Sequence, residues 1–121
     1  MKKRIIVVED FNTSRQIIKR TLEKLGYQVD EATDGRDALK YFDGSKIDLV
    51  ISDYNMPEMD GGDLVEFIRG TEHYKYIPVL MLSTETNISK QNRAKEANIT
   101  AWIKKPFEVD NFTRIVEKAL R

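Results

Sequence analysis

Four short stretches of this chain hold residues able to do chemistry. Glu9 and Asp10 follow Ile5-Ile6-Val7-Val8. Asp53 follows Leu49-Val50-Ile51-Ser52. Ser83 and Thr84 follow Val79-Leu80-Met81-Leu82. Lys104, Lys105 and Pro106 follow Ala101-Trp102-Ile103. Each set sits just after an apolar run. Acids held together repel: two unit charges ~4 Å apart at an effective dielectric of 20 oppose each other by about 4 kcal/mol. Glu9, Asp10 and Asp53, if brought together, must take up a proton or bind a cation. Oxygen ligands without nitrogen or sulfur favour Mg²⁺ or Ca²⁺, and Mg²⁺ suits sites of phosphoryl transfer. A carboxylate nucleophile, a divalent cation, a lysine ammonium and a hydroxyl donor together match what phosphoryl transfer requires, which is mostly charge neutralisation. Asp53 is the best candidate acceptor, because it ends the most buried-looking run; Glu9 and Asp10 are better placed as metal holders.

The elements that must position these residues are legible as apolar runs. Ile5–Val8, Tyr27–Val29 (weakly to Ala32), Asp48–Ser52, Pro78–Leu82 and Ala101–Ile103 read as strands. Nearly continuous Val, Ile, Leu and Met indicates strands covered on both faces. The second run alternates with polar residues and suits a sheet edge. Helical patterns lie between the runs. Ile17, Ile18, Leu22 and Leu25 form one stripe, with Arg15 outside it, a cap expected at Asn12, Thr13 or Ser14, and Gly26 closing the end. Asp34 caps a short helix through Ala38, Leu39 and Phe42 that stops near Gly44. Leu64, Val65 and Ile68 mark a third, between Gly61-Gly62 and Gly70. Ser89–Ala97 is a fourth, with a poor apolar face, and Phe112, Ile115, Val116, Ala119 and Leu120 mark a fifth. The segment Thr71–Ile77 is expected to be an exposed loop. Strand and helix alternate five times, which implies right-handed crossovers and a parallel sheet with helices on both faces. In such a sheet ligands bind beyond the carboxyl ends of the strands, where all the chemistry-bearing residues fall.

Composition narrows the classes. The 121 residues are expected to form one domain, residues 1–121, with 20 basic and 20 acidic side chains, one His and no Cys. Absent cysteines exclude disulfide frameworks, thiolate metal sites and cysteine nucleophiles. A net charge of zero gives no drive toward nucleic acid or anionic lipid. No apolar run approaches the ~20 residues that span a membrane, so a cytoplasmic location is expected, without nucleic-acid or membrane partners.

The chain resembles the response-regulator receiver domains of two-component signalling. The resemblance rests on Val7-Val8-Glu9-Asp10, Ile51-Ser52-Asp53-Tyr54-Asn55-Met56-Pro57, Met59-Asp60-Gly61, Leu82-Ser83 and Lys104-Lys105-Pro106-Phe107, in order across the whole chain. Within that family it is most similar to the stand-alone chemotaxis regulators. The resemblance implies a flavodoxin-like, doubly wound (βα)5 fold, an α/β architecture with strand order 2-1-3-4-5. It implies that Asp53 takes a phosphoryl group from the phosphohistidine of a sensor histidine kinase. Mg²⁺ would be bound by Asp10, Asp53 and the backbone carbonyl of Asn55, with Glu9 acting through a water. Lys105 would pair with the phosphoryl group and Ser83 would hydrogen-bond it. Trp102 stands where the family carries its switch aromatic. Asn55 and Glu85 hold the positions that tune dephosphorylation, and the Lys105-Pro106 bond is expected to be cis.

The resemblance thus implies a signalling module that catalyses only its own phosphorylation and dephosphorylation. Its output would be a changed surface on the fourth helix, fifth strand and fifth helix. The implied partners are the kinase, a flagellar motor switch protein or a histidine phosphotransfer protein, and a phosphatase, with the receiver acting as a monomer. A stand-alone relay and a receiver excised from a larger regulator stay open. So does a small Mg²⁺-dependent phosphatase with an aspartyl nucleophile, although such enzymes place an acid two residues after the nucleophile, where this chain has Asn55. Departures from the family pattern are Glu9 for the commoner Asp, Ser83 for Thr, the bulky Thr84, and Trp102 for Tyr or Phe.

Overall fold

All five apolar runs form strands, within a residue or two of the expected limits, in a computed structural model that describes residues 2–84 and 87–121. They are β1 (Arg4–Val8), β2 (Gln28–Ala32), β3 (Leu49–Asp53), β4 (Val79–Ser83) and β5 (Ala101–Lys104). The helices are α1 (Asn12–Lys24), α2 (Gly35–Ala38, continued by a 3-10 turn at Leu39–Tyr41), α3 (Gly61–Gly70), α4 (Ile88–Glu96) and α5 (Val109–Ala119). The strands are parallel, in the order β2-β1-β3-β4-β5. The fold is therefore the flavodoxin-like α/β arrangement expected. Register aligns Val8 with Ser52, Ser52 with Met81, and Leu82 with Ile103, so the strand ends come level along one edge.

Side-chain alternation divides the core in two. Ile6, Val8, Val50, Val79 and Met81 face Ala38, Leu64, Val65 and Ile68 on one side of the sheet. Ile5, Val7, Leu49, Ile51, Leu80, Leu82 and Ile103 face Ile18, Leu22, Phe112 and Val116 on the other. The central strands β3 and β4 are buried at every position, which explains their unbroken apolar runs.

Helix ends follow local chemistry, with exceptions. Gly26 (φ 92°) turns the chain after α1 in the left-handed region. Asp34 accepts from the Asp37 amide. Asp60 and Asp63 form a reciprocal capping box at α3. Asn87 accepts from the Lys90 amide at α4.

The start of α1 departs from expectation. Its cap is Phe11, without a side-chain bond, and Asn12, Thr13 and Ser14 all lie inside the helix. Its stripe is also shifted. Ile18 and Leu22 are buried, Ile17 and Leu25 are exposed, and Arg15 points inward. Arg15 finds partners there that sequence periodicity does not reveal.

The segment Thr71–Ile77 is not a simple exposed loop. Tyr76 is open to solvent, but Tyr74 is buried. The Tyr74 hydroxyl accepts from the Gly44 amide and donates to the Ser45 carbonyl, and its ring meets Phe42 edge-on at 5.1 Å. Among the described residues no helix is long and apolar enough to cross a membrane.

Candidate functional site

The carboxyl ends of β1, β3, β4 and β5 bring Glu9, Asp10, Asp53, Ser83 and Lys105 to one edge of the sheet. One carboxylate oxygen from each of Glu9, Asp10 and Asp53 lies within 4.8 Å of the others. Glu9 is 1% exposed and Asp53 7%. Their spacing follows from the register, since Val8 and Ser52 are level in adjacent strands.

Lys105 is the cation that answers them. Its Nζ lies 2.6 Å from Glu9 Oε2 and 3.2 Å from Asp53 Oδ2. The Lys105 amide donates to the Ser83 carbonyl at 3.0 Å, tying the two strand ends together. The Lys105-Pro106 peptide is cis, as expected. One ammonium facing three carboxylates leaves the cluster net negative. Burial, and after it the charge of Glu9, pushes the Asp53 carboxyl up to about 6. Burial also raises Asp10, aided by Glu9. For Lys105 burial alone would lower the ammonium, but its pairs with Glu9 and Asp53 outweigh this and raise it.

The Asp53 carboxylate is aimed from both sides. Its Oδ1 accepts from the Tyr54 amide at 2.9 Å, and that amide also reaches the Leu82 carbonyl at 3.1 Å. The Gly61 amide donates to the Tyr54 carbonyl at 2.7 Å. A Cβ at Gly61 would come within 2.6 Å of the Asp53 carbonyl oxygen and 2.8 Å of Tyr54 Cα. Gly61 therefore lets the start of α3 lie directly against the backbone of Asp53.

Asp10 Oδ1 is buried and has no hydrogen-bond partner among the described residues. An unpartnered carboxylate oxygen beside two other acids fits a hard divalent cation with oxygen ligands. Asn55 is exposed in the loop two residues after Asp53. Ser83 is fully buried at the end of β4, and Thr84 is exposed. Thr84 lines a mostly apolar groove of about 460 Å³ with Ser14, Ile17, Lys105, Phe107 and Val109. Glu85 lies outside the described residues.

Trp102 is half-buried and packs on Tyr54, with ring centroids 5.5 Å apart. Periodicity and motif did not mark Arg15, Glu31 or Arg93, which support this region. Arg15 donates from Nη1 to the Glu9 carbonyl at 2.9 Å and from Nε to Glu31 Oε1 at 2.8 Å. Arg15 and Lys19 hold the Glu31 carboxyl down to about 2. Arg93, on α4 with its poor apolar face, donates to Asp63 Oδ1 and Glu66 Oε1, each at 2.7 Å. Motif reading does not find them, because the carboxylate partners of Arg15 and Arg93 lie 16 to 30 positions away.

A family model for the response regulator receiver domain matches residues 5–117. The chemotaxis protein CheY of Pseudomonas aeruginosa is 36% identical over 116 residues, covering 95% of this chain and 94% of that one. CheY1 of Helicobacter pylori is 41% identical over 106 residues, 86% of each chain. Among solved structures, the Vibrio cholerae chemotaxis protein CheY4 superposes with a TM-score of 0.92 at 36% identity, over 99% of this chain and 100% of that one. The signal receiver domain of a histidine kinase from Syntrophus aciditrophicus gives a TM-score of 0.90 at 32% identity, over 98% and 89%.

Proposed function

Because the chain belongs to the response regulator receiver domains, of CheY type, we propose that Asp53 is its phosphoacceptor and that phosphorylation there switches a partner-binding surface. The observation that carries this is the convergence of Asp53 with Glu9, Asp10 and Lys105, with the buried Asp10 Oδ1 left unpartnered. The donor is the phosphohistidine of a sensor kinase. An Asp53 oxygen attacks phosphorus, the P–N bond breaks with its electron pair going to the imidazole, and an acyl phosphate forms. Asp10, Asp53 and the Asn55 carbonyl would hold Mg²⁺, with Glu9 acting through a water. When bound, Mg²⁺ supplies charge neutralisation at the phosphoryl oxygens.

The chain's own groups do the rest. Tyr54 N–H holds one Asp53 oxygen, which orients the carboxylate. Lys105 sits on Asp53 and Glu9 and is poised to follow the charge onto a phosphoryl oxygen. Ser83, buried at the adjoining strand end, supplies a hydroxyl. The apolar groove beside Lys105 gives the kinase a surface on which to present its histidine. Asn55 and Glu85 tune the attack of water that ends the signal.

Phosphorylation shifts an existing equilibrium in α4, β5 and α5, with Trp102 as its aromatic member. The chemotaxis relatives favour a flagellar motor switch protein as reader; a relay would instead pass the group to a histidine phosphotransfer protein. Binding to a motor protein only when phosphorylated separates the two. The chemistry is tested by the lability of the adduct. An acyl phosphate on Asp53 is released by neutral hydroxylamine, whereas a phosphoserine or a phosphothreonine is not, and a hydroxylamine-stable adduct would sink the assignment.

A further inference from the structure

The first turn of α1 lacks a side-chain cap, and the local side-chain bond at the junction that carries both acids is the one from the Phe11 amide to Glu9 Oε1 at 3.2 Å. Glu9 closes the strand ladder through its amide, which donates to the Ala32 carbonyl at 3.1 Å. Its carbonyl lies beyond the last paired strand residue, Val8. A buried carbonyl must find a donor, and here the donor is Arg15 Nη1 at 2.9 Å. The Arg15 guanidinium is itself fixed in two other directions. Nε donates to Glu31 Oε1 at 2.8 Å and Nη2 to Asn12 Oδ1 at 2.9 Å. Glu31 is fixed in turn by Gln16 Nε2 and Lys19 Nζ, each at 2.9 Å. A planar fork bonded along three directions has little freedom, and Arg15 is only 9% exposed.

The group that Arg15 holds is the peptide linking Glu9 to Asp10. Asp10 Oδ1 has no partner of its own among the described residues. With that oxygen unheld, the backbone that carries Asp10 has a direct part in where its carboxylate points. We propose that Arg15, anchored by Glu31, is a positioning residue for the cation site, acting through the Glu9–Asp10 peptide without touching the cation. The proposal rests on the reading of the acidic cluster as a Mg²⁺ site. It gives Glu31, at the end of an edge strand, a part in metal affinity that no motif assigns to it.

The test is Mg²⁺ affinity, measured by calorimetry on the full chain well below its melting temperature, with melts run alongside without and with Mg²⁺. The variants are Arg15→Ala, Arg15→Lys and Glu31→Gln. Loss of an outer partner of a ligand weakens metal binding by about 10-fold or more. Arg15→Ala is expected to show that loss. Arg15→Lys keeps one donor and recovers part of it, and Glu31→Gln falls between wild type and Arg15→Ala. A melting temperature that drops while Mg²⁺ affinity stays at the wild-type value would make Arg15 merely structural and overturn the proposal. Should Arg15→Ala fail to fold, wild-type affinity in both Arg15→Lys and Glu31→Gln overturns it equally. If wild-type protein binds no Mg²⁺, the cation reading falls and this proposal with it; a wild-type site that the variants leave unchanged removes only this proposal.

Discussion

The indole of Trp102 rests against the phenol ring of Tyr54, with centroids 5.5 Å apart and planes tilted by 43°. Tyr54 directly follows Asp53, and its amide holds the Asp53 carboxylate. One residue thus joins the acceptor to the aromatic on β5. Because Trp102 is the chain's single Trp, its emission reports this contact. Tyr54 is fully buried, so Tyr54→Ala should destabilise the fold by about 3–5 kcal/mol. It should also move Trp102 emission to longer wavelength as water reaches the ring. Urea melts followed by fluorescence measure both, and an unshifted emission maximum would show that the contact does not govern the Trp environment.

Gly61 and Gly70 open and close α3 but predict opposite outcomes. A Cβ at Gly61 would meet the Asp53 carbonyl oxygen at 2.6 Å and Met81 sulfur at 2.6 Å, whereas a Cβ at Gly70 meets nothing within 4 Å. Gly61→Ala should destabilise by about 1–3 kcal/mol through forced backbone movement beside Asp53. Gly70→Ala should be neutral or stabilising by about 0.5 kcal/mol, since Ala restricts the unfolded chain and favours helix. Thermal melts of the two variants decide the matter, and equal effects would contradict the packing argument.

The Asp53 carboxyl is raised to about 6, chiefly by burial and then by Glu9. The folded protein therefore holds a proton between roughly pH 4 and pH 6 that the unfolded chain has already released. Stability consequently falls as pH rises through that window and stays lower above it. Asp53→Asn should remove this slope and, without divalent cations, stabilise the protein at pH 7. Denaturant melts at pH 4, 5, 6 and 7 measure the slope; a wild-type stability that climbs through this window and follows the Asn variant would contradict the electrostatic account.

Glu31 behaves in the opposite sense. Arg15 and Lys19 lower its carboxyl to about 2. Its pairs stabilise the fold fully above the ordinary carboxylate range, and that stability is lost as pH falls toward 2. The group is partly exposed, so after screening its contribution is about 1 kcal/mol. Glu31→Gln should be less stable than wild type at pH 6 and should lose that deficit in acid. A deficit constant from pH 6 to pH 2 would assign the effect to something other than the ion pairs.

Arg93 holds α4 to the first turns of α3 through Asp63 and Glu66, and its Nη1 lies 3.6 Å from Asp60. Arg93→Ala should speed amide exchange in α4 while leaving β3 and β4 protected, with a global loss of about 1 kcal/mol. Exchange followed by mass spectrometry resolves the segments. Unchanged protection in α4 would mean that its packing, with Ala94 as its buried residue, holds it without the ion pairs.

Much of this was readable in advance, for definable reasons. Strands β3 and β4 were clear because both faces are buried, so their residues had to be apolar throughout. The gathering of Glu9, Asp10, Asp53 and Lys105 was clear because strand ends in this fold come level along one edge, immediately after those runs. Arg15 was not, because a guanidinium on a helix reads as solvent-facing until its acceptors, Glu31 and the Glu9 carbonyl, are brought close by the sheet. Tyr74 was missed for the same reason. Its partners Gly44 and Ser45 are about thirty positions away and become neighbours only in the fold. Phe11 as the cap of α1 has no sequence signal, since Asn12, Thr13 and Ser14 all offer better chemistry one to three residues later.

The central claim, that Asp53 accepts a phosphoryl group at a site built from these acids and Lys105, has a direct test. The protein and its Asp53→Asn variant are incubated with Mg²⁺ and phosphoramidate, a small donor with the P–N bond of phosphohistidine, and intact masses are taken while Trp102 fluorescence is followed. The account predicts one phosphoryl adduct on the wild type, none on the variant, none in the presence of EDTA, and a fluorescence change that rises with the adduct. An adduct of equal yield on the Asp53→Asn protein, or none on the wild type at saturating Mg²⁺ and donor, would contradict it.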